Sequence, residues 1–202
     1  PRRRSPRLGY TCGDSDCCQA TLFVDPPVVP RALAAGDGGV RFGADFKLYF
    51  ARETDGDGKA DRIELVDADY GRGDIEHGPN GLMRAMDNWI YNGASTWRYR
   101  SVGGVLVKQR TEYRGQWGMS QDNYGRLIYN VNDSQLLGDY TPPNYMSRNP
   151  HHPTSAGLNL FVATDQRVFS LRMTTAVNRG FATNVPTHSG KAYVFASSLS
   201  PG

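Results

Sequence analysis

From Val40 onward the chain consists of short apolar runs separated by turn residues. Runs such as Phe46–Ala51, Arg62–Val66 and Arg126–Asn130 alternate with segments rich in Gly, Asp, Asn and Pro. None of them shows the apolar spacing of three and four residues that is typical of an amphipathic helix. The pattern therefore predicts an all-β fold of short strands joined by tight turns.

Four segments share one form, in which a small residue opens an apolar run, an Asp-centred turn follows, and an apolar, aromatic-containing run returns. The segments are Asn80–Gly93, Trp117–Asn130, Gly39–Tyr49 and Leu158–Phe169. Their turn aspartates are Asp45, Asp87, Asp122 and Asp165, and successive aspartates are 42, 35 and 43 residues apart. This period is close to the roughly 40–50 residues of a propeller blade.

The repeat predicts a β-propeller-like domain over residues 31–202, built from about four incomplete blades of a larger ring. A protein partner or a missing segment of the chain would complete the ring, because a blade buries its faces only between neighbours. The alternative is an ordinary β-sandwich whose segments resemble each other by accident. Since the chain begins at Pro1 and not at Met, we expect a processed product or part of a longer chain.

Residues 1–30 are predicted to form an irregular arm rich in Arg, Pro and Cys. The three cysteines, Cys12, Cys17 and Cys18, lie within seven residues of one another. A disulfide between two of them would indicate an extracytoplasmic protein, periplasmic or secreted. Unpaired thiols and a metal site are the alternatives. The C-x-x-C-H pattern of covalent haem attachment is absent from the sequence, so no covalent haem is expected.

The composition excludes two classes of partner. Lys and Arg number 23 against 20 Asp and Glu, a net charge of +3 that is too small to indicate nucleic-acid binding. No segment approaches the ~20 apolar residues that span a bilayer, so no membrane span is expected. The excess charge is also local, because Arg2, Arg3, Arg4 and Arg7 all belong to the arm.

An acidic loop between two predicted strands has the spacing of a calcium-binding loop. The predicted ligands are Glu53, Asp55, Asp57, Lys59, Asp61 and Glu64, at positions 1, 3, 5, 7, 9 and 12, with Gly58 at position 6. Alternate side chains of such a loop point inward, glycine allows the sharp bend, and the last Glu closes the shell with two oxygens. The loop predicts structural Ca²⁺, and a merely acidic hairpin loop is the alternative.

Two further residues precede the best repeats. His77 stands just before Asn80–Gly93, where the inner strand of a blade begins, and an imidazole there could take a proton from a substrate hydroxyl. Arg114 stands before Trp117–Asn130, where a guanidinium would suit carbonyl or carboxylate groups of an anionic cofactor. The structural alternatives are a histidine hydrogen-bonded between blades and an interblade salt bridge.

The segments Glu76–Leu82, Asp87–Tyr91 and Gly115–Arg126 give the chain a family resemblance. From about Val40 to Phe181 it resembles the propeller of the membrane-bound dehydrogenases of Planctomycetes, which is similar to the soluble pyrroloquinoline-quinone (PQQ) glucose and sorbosone dehydrogenases. That resemblance implies that His77 is the catalytic base on a sugar or alcohol hydroxyl and that Arg114 contacts the quinone, PQQ.

The resemblance thus implies the propeller part of a quinoprotein-like oxidoreductase. Two alternatives remain. One is a non-catalytic propeller-like subunit that docks onto a larger extracytoplasmic complex through the arm and the open sheet edges, since an open edge invites pairing with another chain. The other is a carbohydrate- or protein-binding module that holds Ca²⁺ for structure only.

Overall fold

A computed structural model describes Tyr10–Thr11, Gln19–Ala20, residues 30–73, 77–131 and 134–165, Thr175–Ala176 and Gly180–Phe181. The predictions made for Cys12, Cys17 and Cys18, and for the arginines of the arm, lie outside these residues. The chain forms two compact units, residues 1–75 and residues 76–202.

The described residues are almost entirely β-structure. The strands are β1 (Tyr10–Thr11), β2 (Gln19–Ala20), β3 (Ala32–Gly36), β4 (Gly39–Ala44), β5 (Lys47–Arg52), β6 (Arg62–Asp67), β7 (Asn80–Arg84), β8 (Ile90–Gly93), β9 (Trp97–Val102), β10 (Val105–Arg110), β11 (Trp117–Gln121), β12 (Leu127–Val131), β13 (Ser134–Gly138), β14 (Leu160–Phe161), β15 (Thr175–Ala176) and β16 (Gly180–Phe181). A 3₁₀-helix covers Met146–Arg148. Within the described part of the chain, no helix is long and apolar enough to cross a membrane.

The described residues form three four-stranded antiparallel sheets, in the orders β3-β4-β5-β6, β7-β8-β9-β10 and β11-β12-β13-β14. In each sheet the strands follow one another in chain order, which is the up-and-down arrangement of a propeller blade. The short pairs β1-β2 and β15-β16 each form a separate two-stranded sheet. The prediction of an all-β, propeller-like fold with incomplete blades is confirmed.

The predicted repeats match the sheets unequally. Asn80–Gly93 and Trp117–Asn130 each cover the first two strands of a sheet. Gly39–Tyr49 instead covers β4 and the first half of β5, which are the second and third strands of their sheet. The fourth segment begins with β14, the last strand of the third sheet, and its continuation after Asp165 lies outside the described residues.

The first unit packs its sheet around a small apolar cluster formed by Phe42, Ala44 and Ala51. Tyr70 is also buried and lies directly over Gly43, where an added Cβ would come 2.7 Å from the tyrosine ring. Only glycine allows that approach.

The ladder between β5 and β6 ends at the pair Arg52 and Arg62, so the acidic loop projects from the end of this hairpin.

The second unit joins two sheets through a shared core of Ala85, Trp89, Tyr91, Leu127, Tyr129 and Leu137. The first strands of the two sheets, β7 and β11, pack against each other. The side-chain amide of Asn80 donates to the carbonyl oxygen of Gln116 at 2.6 Å and ties the start of β7 to the start of β11. Neighbouring blades of a propeller pack in this way around its central channel.

A two-residue turn joins β9 to β10. Gly103 and Gly104 have φ angles of 57° and 82°, the left-handed values that a type I′ hairpin turn requires at both central positions. The turn pairs Val102 with Val105 and, further along the ladder, Arg98 with Gln109. The register of the hairpin is therefore fixed from its tip.

Candidate functional site

The acidic loop brings three of its predicted ligands together. One carboxylate oxygen each of Glu53, Asp55 and Asp57 lies within 4.8 Å of the other two. Hydrogen bonds within the loop hold this arrangement, since Glu53 accepts one from the Gly56 amide and Asp55 accepts one from the Asp57 amide at 3.2 Å. Three convergent carboxylates offer the hard oxygen ligands that Ca²⁺ prefers.

The other predicted ligands have different partners. Asp61 accepts hydrogen bonds from the backbone and hydroxyl of Thr54. Glu64 lies on β6, where its carboxylate is 2.6 Å from Arg62 Nε. Lys59 enters the loop through its backbone amide, which donates to Asp57 at 2.7 Å. The structure therefore assembles half of the predicted ligand set, and binding of Ca²⁺ by the loop remains a prediction.

Calcium addition tests this prediction directly. We expect Ca²⁺ at a hundredfold excess over its dissociation constant to stabilise the first unit by about 2.7 kcal/mol, and Asp57→Asn to abolish the effect because it removes one of the converging charges. Asp69→Asn is the matched control, since Asp69 is an exposed acid in another turn of the same unit, paired with Arg72. Thermal unfolding with Ca²⁺ and with a chelator measures the shift. Equal curves for the wild-type protein would exclude the site.

His77 is exposed and lies just before β7. Its ring is 5.9 Å from the ring of Trp117, the first residue of β11, at an interplanar angle of 50°. The amide of Asn80 holds this junction, because it donates both to the carbonyl oxygen of Gly78 and to that of Gln116. His77 therefore lies beside the N-terminal ends of β7 and β11 and is accessible to solvent. Its sequence neighbour Glu76 lies outside the described residues.

Arg114 has a different environment, because its side chain is fully buried. Its Nε atom lies 2.6 Å from Oδ2 of Asp139, whose side chain is also buried. Its Nη1 atom donates to the hydroxyl of Thr111 and to the carbonyl oxygen of Glu112. The main contact of Arg114 is therefore a salt bridge, which was the structural alternative predicted from the sequence. The bridge lies within the second unit.

One atom of Arg114 is not used by these contacts. Nη2 is buried and has no hydrogen-bond partner among the described residues. A buried guanidinium nitrogen without an acceptor is costly, so this atom fits one further oxygen, supplied by a bound molecule or by water. The predicted role of Arg114 at a cofactor would have to be played by this nitrogen.

A cavity of about 400 Å³ in the second unit was not predicted from the sequence. One wall comes from the sheet β7–β10 and the other from the segment around Pro142 and Tyr145. Three guanidinium groups line it, those of Arg98, Arg100 and Arg148. Its volume is within the range of small-molecule sites in proteins.

The charge of Arg98 is balanced inside the protein. Its Nη1 atom lies 3.7 Å from Asp87 and donates to the hydroxyl of Tyr91 at 2.8 Å, and Gln109 accepts from its Nε and Nη2 atoms. Burial raises the pKa of Tyr91, and the hydrogen bond that its hydroxyl donates to Asp87 raises the pKa further, against the lowering effect of Arg98. Arg98 is therefore part of a closed hydrogen-bond network.

Arg100 and Arg148 differ from Arg98 in that no described carboxylate lies within ion-pair distance of either. The Nε atom of Arg100 is buried and without a hydrogen-bond partner in the described part of the chain. The local signal was present in the sequence, because Arg98 and Arg100 are two residues apart on β9 and so share one face of the sheet. Only the fold shows that the segment of Arg148 covers that face.

Comparison with known proteins places nearly all of this chain in one family. The family model matches residues 6–200, a span that includes the acidic loop, His77, Arg114 and the cavity. No curated protein and no solved structure matches the chain. The chain belongs to the family described as DUF7133, a domain of unknown function.

Proposed function

We propose that this chain is the propeller part of a quinoprotein-like oxidoreductase that acts on a sugar or alcohol in an extracytoplasmic compartment. The observation that carries the proposal is the position of His77, which is exposed just before the N-terminal end of β7 and lies beside Trp117. The family resemblance of the segments around His77 and Arg114 supports the same activity. The close spacing of Cys12, Cys17 and Cys18 supports the compartment.

His77 would act as the general base. A neutral imidazole nitrogen would accept the proton of the substrate hydroxyl, which is the task for which histidine is most often used near neutral pH. Nη2 of Arg114 would donate to an oxygen of the quinone and so position it. The quinone, when bound, supplies the two-electron acceptor that no side chain provides. Asn80 would position His77, because its amide ties the histidine segment to β11.

The test measures cofactor binding and turnover separately. With PQQ, Ca²⁺, a panel of sugars and alcohols and an artificial electron acceptor, we expect His77→Ala to lower kcat by about 10²–10⁴-fold. Binding of the quinone, followed by its absorbance, should be unchanged in this variant. His151→Ala is the matched control, an exposed histidine in a loop of the same unit, and should keep full activity. Equal activity of His77→Ala and wild type would rule out the base.

A second candidate is a non-catalytic propeller-like subunit within a larger complex. The burial of Arg114 in its ion pair with Asp139 favours it, because the residue expected at the cofactor is held mainly by the protein itself. A folded chain that does not bind PQQ would support this candidate over the oxidoreductase. A protein partner that completes the ring fits both functions, and a carbohydrate ligand would fit a binding module.

A further inference from the structure

We propose that the cavity between the sheet β7–β10 and the segment 142–148 binds a small organic anion, a ring-bearing molecule with a carboxylate or phosphate group. This inference is independent of the proposed oxidoreductase activity, because neither His77 nor Arg114 lines the cavity. It rests on three observations. The cavity wall carries positive charge, the neighbouring polar groups already form hydrogen bonds within the protein, and apolar side chains lie beside them.

The wall concentrates positive charge. The guanidinium carbon of Arg98 is 4.0 Å from the ring centroid of Trp89, and that of Arg100 is 4.7 Å from the same centroid. Two like charges are thus held around one indole ring, and Asp87 is the acid that lines the cavity with them. Because Asp87 is engaged with Arg98 and Tyr91, the charge of Arg100 stays unbalanced. An anion in the cavity would balance the charge of Arg100.

The opposite wall is fixed in place and adds a third cation. Asn144 binds the end of β10 on both sides of its amide, since its Oδ1 accepts from Thr111 at 2.7 Å and its Nδ2 donates to the carbonyl oxygen of Arg110 at 3.2 Å. Ser147 donates to the carbonyl oxygen of Asn144. These hydrogen bonds fix the segment in place, and the side chain of Arg148 remains available to a ligand.

The apolar part of the wall indicates an organic body and not a bare ion. Pro142, Pro143 and Tyr145 line the cavity together with Trp89, and Tyr145 is more than half exposed. Planar guanidinium groups bind carboxylate and phosphate oxygens in pairs, while flat apolar side chains cover the face of a ring. A monosaccharide-sized acid combines both features.

Calorimetric titration of the full chain with three related sugars tests the proposal. The probes are D-glucuronate, glucose 6-phosphate and neutral D-glucose, with inorganic phosphate as an anion without a ring. We expect at least one of the two sugar anions to bind about tenfold or more tightly than glucose and than inorganic phosphate. Its affinity should fall as salt is added. Whichever anion binds identifies the recognised group, and binding of neither overturns the proposal.

Variants locate the site. Arg148→Gln and Arg100→Gln should each weaken binding of the preferred anion by about tenfold. Arg110→Gln is the matched control, because Arg110 stacks on Trp97 at 4.3 Å in the same sheet but does not line the cavity. Arg148 lies on an exposed 3₁₀-helix, so its variant tests the site even where Arg100→Gln fails to fold. An equal loss in Arg110→Gln and Arg148→Gln would contradict the proposed location.

Discussion

Asp139→Asn is expected to lower the free energy of unfolding of the second unit by about 3–5 kcal/mol. The substitution keeps the size of the side chain but removes the charge that faces Arg114. Both side chains are buried, and the Nε to Oδ2 distance is 2.6 Å. A guanidinium left in the interior without its carboxylate loses the attraction that offset its removal from water. The other oxygen of Asp139 accepts from the hydroxyl of Tyr129 at 2.6 Å, and that bond is weakened too.

Urea unfolding followed by tryptophan fluorescence measures this effect, because Trp89, Trp97 and Trp117 all belong to the second unit. Arg126→Gln is the control, since it breaks the more exposed pair of Arg126 with Asp122. We expect the control to cost between about 0 and 1 kcal/mol. Equal losses in the two variants would show that the pair of Arg114 with Asp139 is no more important than a surface pair.

The second unit should also lose stability steeply above pH 10. Burial raises the pKa of Tyr129, the charge of Asp139 and the hydrogen bond to it raise the pKa further, and burial likewise raises the pKa of Tyr91. Below the ordinary tyrosine value near 10, both rings are neutral in the folded and unfolded chain, and the contribution is fully present. Above it the unfolded chain releases protons that the folded chain retains. The free energy of unfolding then falls by about 1.4 kcal/mol per pH unit for each buried tyrosine.

Urea unfolding at a series of pH values tests the alkaline loss. Tyr129→Phe should lower the slope by the contribution of one tyrosine, about 1.4 kcal/mol per pH unit, whatever it does to the stability at neutral pH. Tyr124→Phe is the control, because Tyr124 is 77% exposed and close in the chain, and it should leave the slope unchanged. A slope that is the same in the wild-type protein and in Tyr129→Phe would refute the protonated state of Tyr129 in the folded unit.

The strands were predictable where their signal is local. The predicted runs Phe46–Ala51, Arg62–Val66 and Arg126–Asn130 match β5, β6 and β12 to within one residue at either end. Gly103 and Gly104 separate β9 from β10. Two adjacent glycines between apolar residues are a hairpin signal, so this turn is also a feature that the local sequence can predict.

The order of strands within a sheet was less predictable. The turn at Asp45 has the same local chemistry as the turns at Asp87 and Asp122, but it joins the second and third strands of its sheet and not the first and second. A hairpin signature records which strands are neighbours and contains nothing about their distance from a sheet edge. The position of a hairpin within a blade depends on pairing with strands that the signature does not include.

The candidate sites were likewise predictable only where their residues are close together in the chain. Loop spacing predicted the convergence of Glu53, Asp55 and Asp57, since these residues are close in the chain. It did not predict that Glu64 pairs with Arg62 and with Arg52. The pair of Arg114 with Asp139 joins residues that are 25 positions apart, and the cavity needs β9 and Arg148 together. Such contacts depend on tertiary packing, to which no local pattern is sensitive.

The two-glycine turn between β9 and β10 controls more than its own hairpin. Because side chains alternate along a strand, adding one residue at this tip would shift β10 by one position and reverse every side chain on it. Gln109 would then leave the face it shares with Arg98, and Thr111 would no longer meet Asn144. The length of this surface turn thus decides which side chain of β10 faces the cavity beside Arg98 and how the segment that carries Arg148 is attached. One added residue at Gly103–Gly104 would therefore change the cavity while all three of its arginines stay in the sequence.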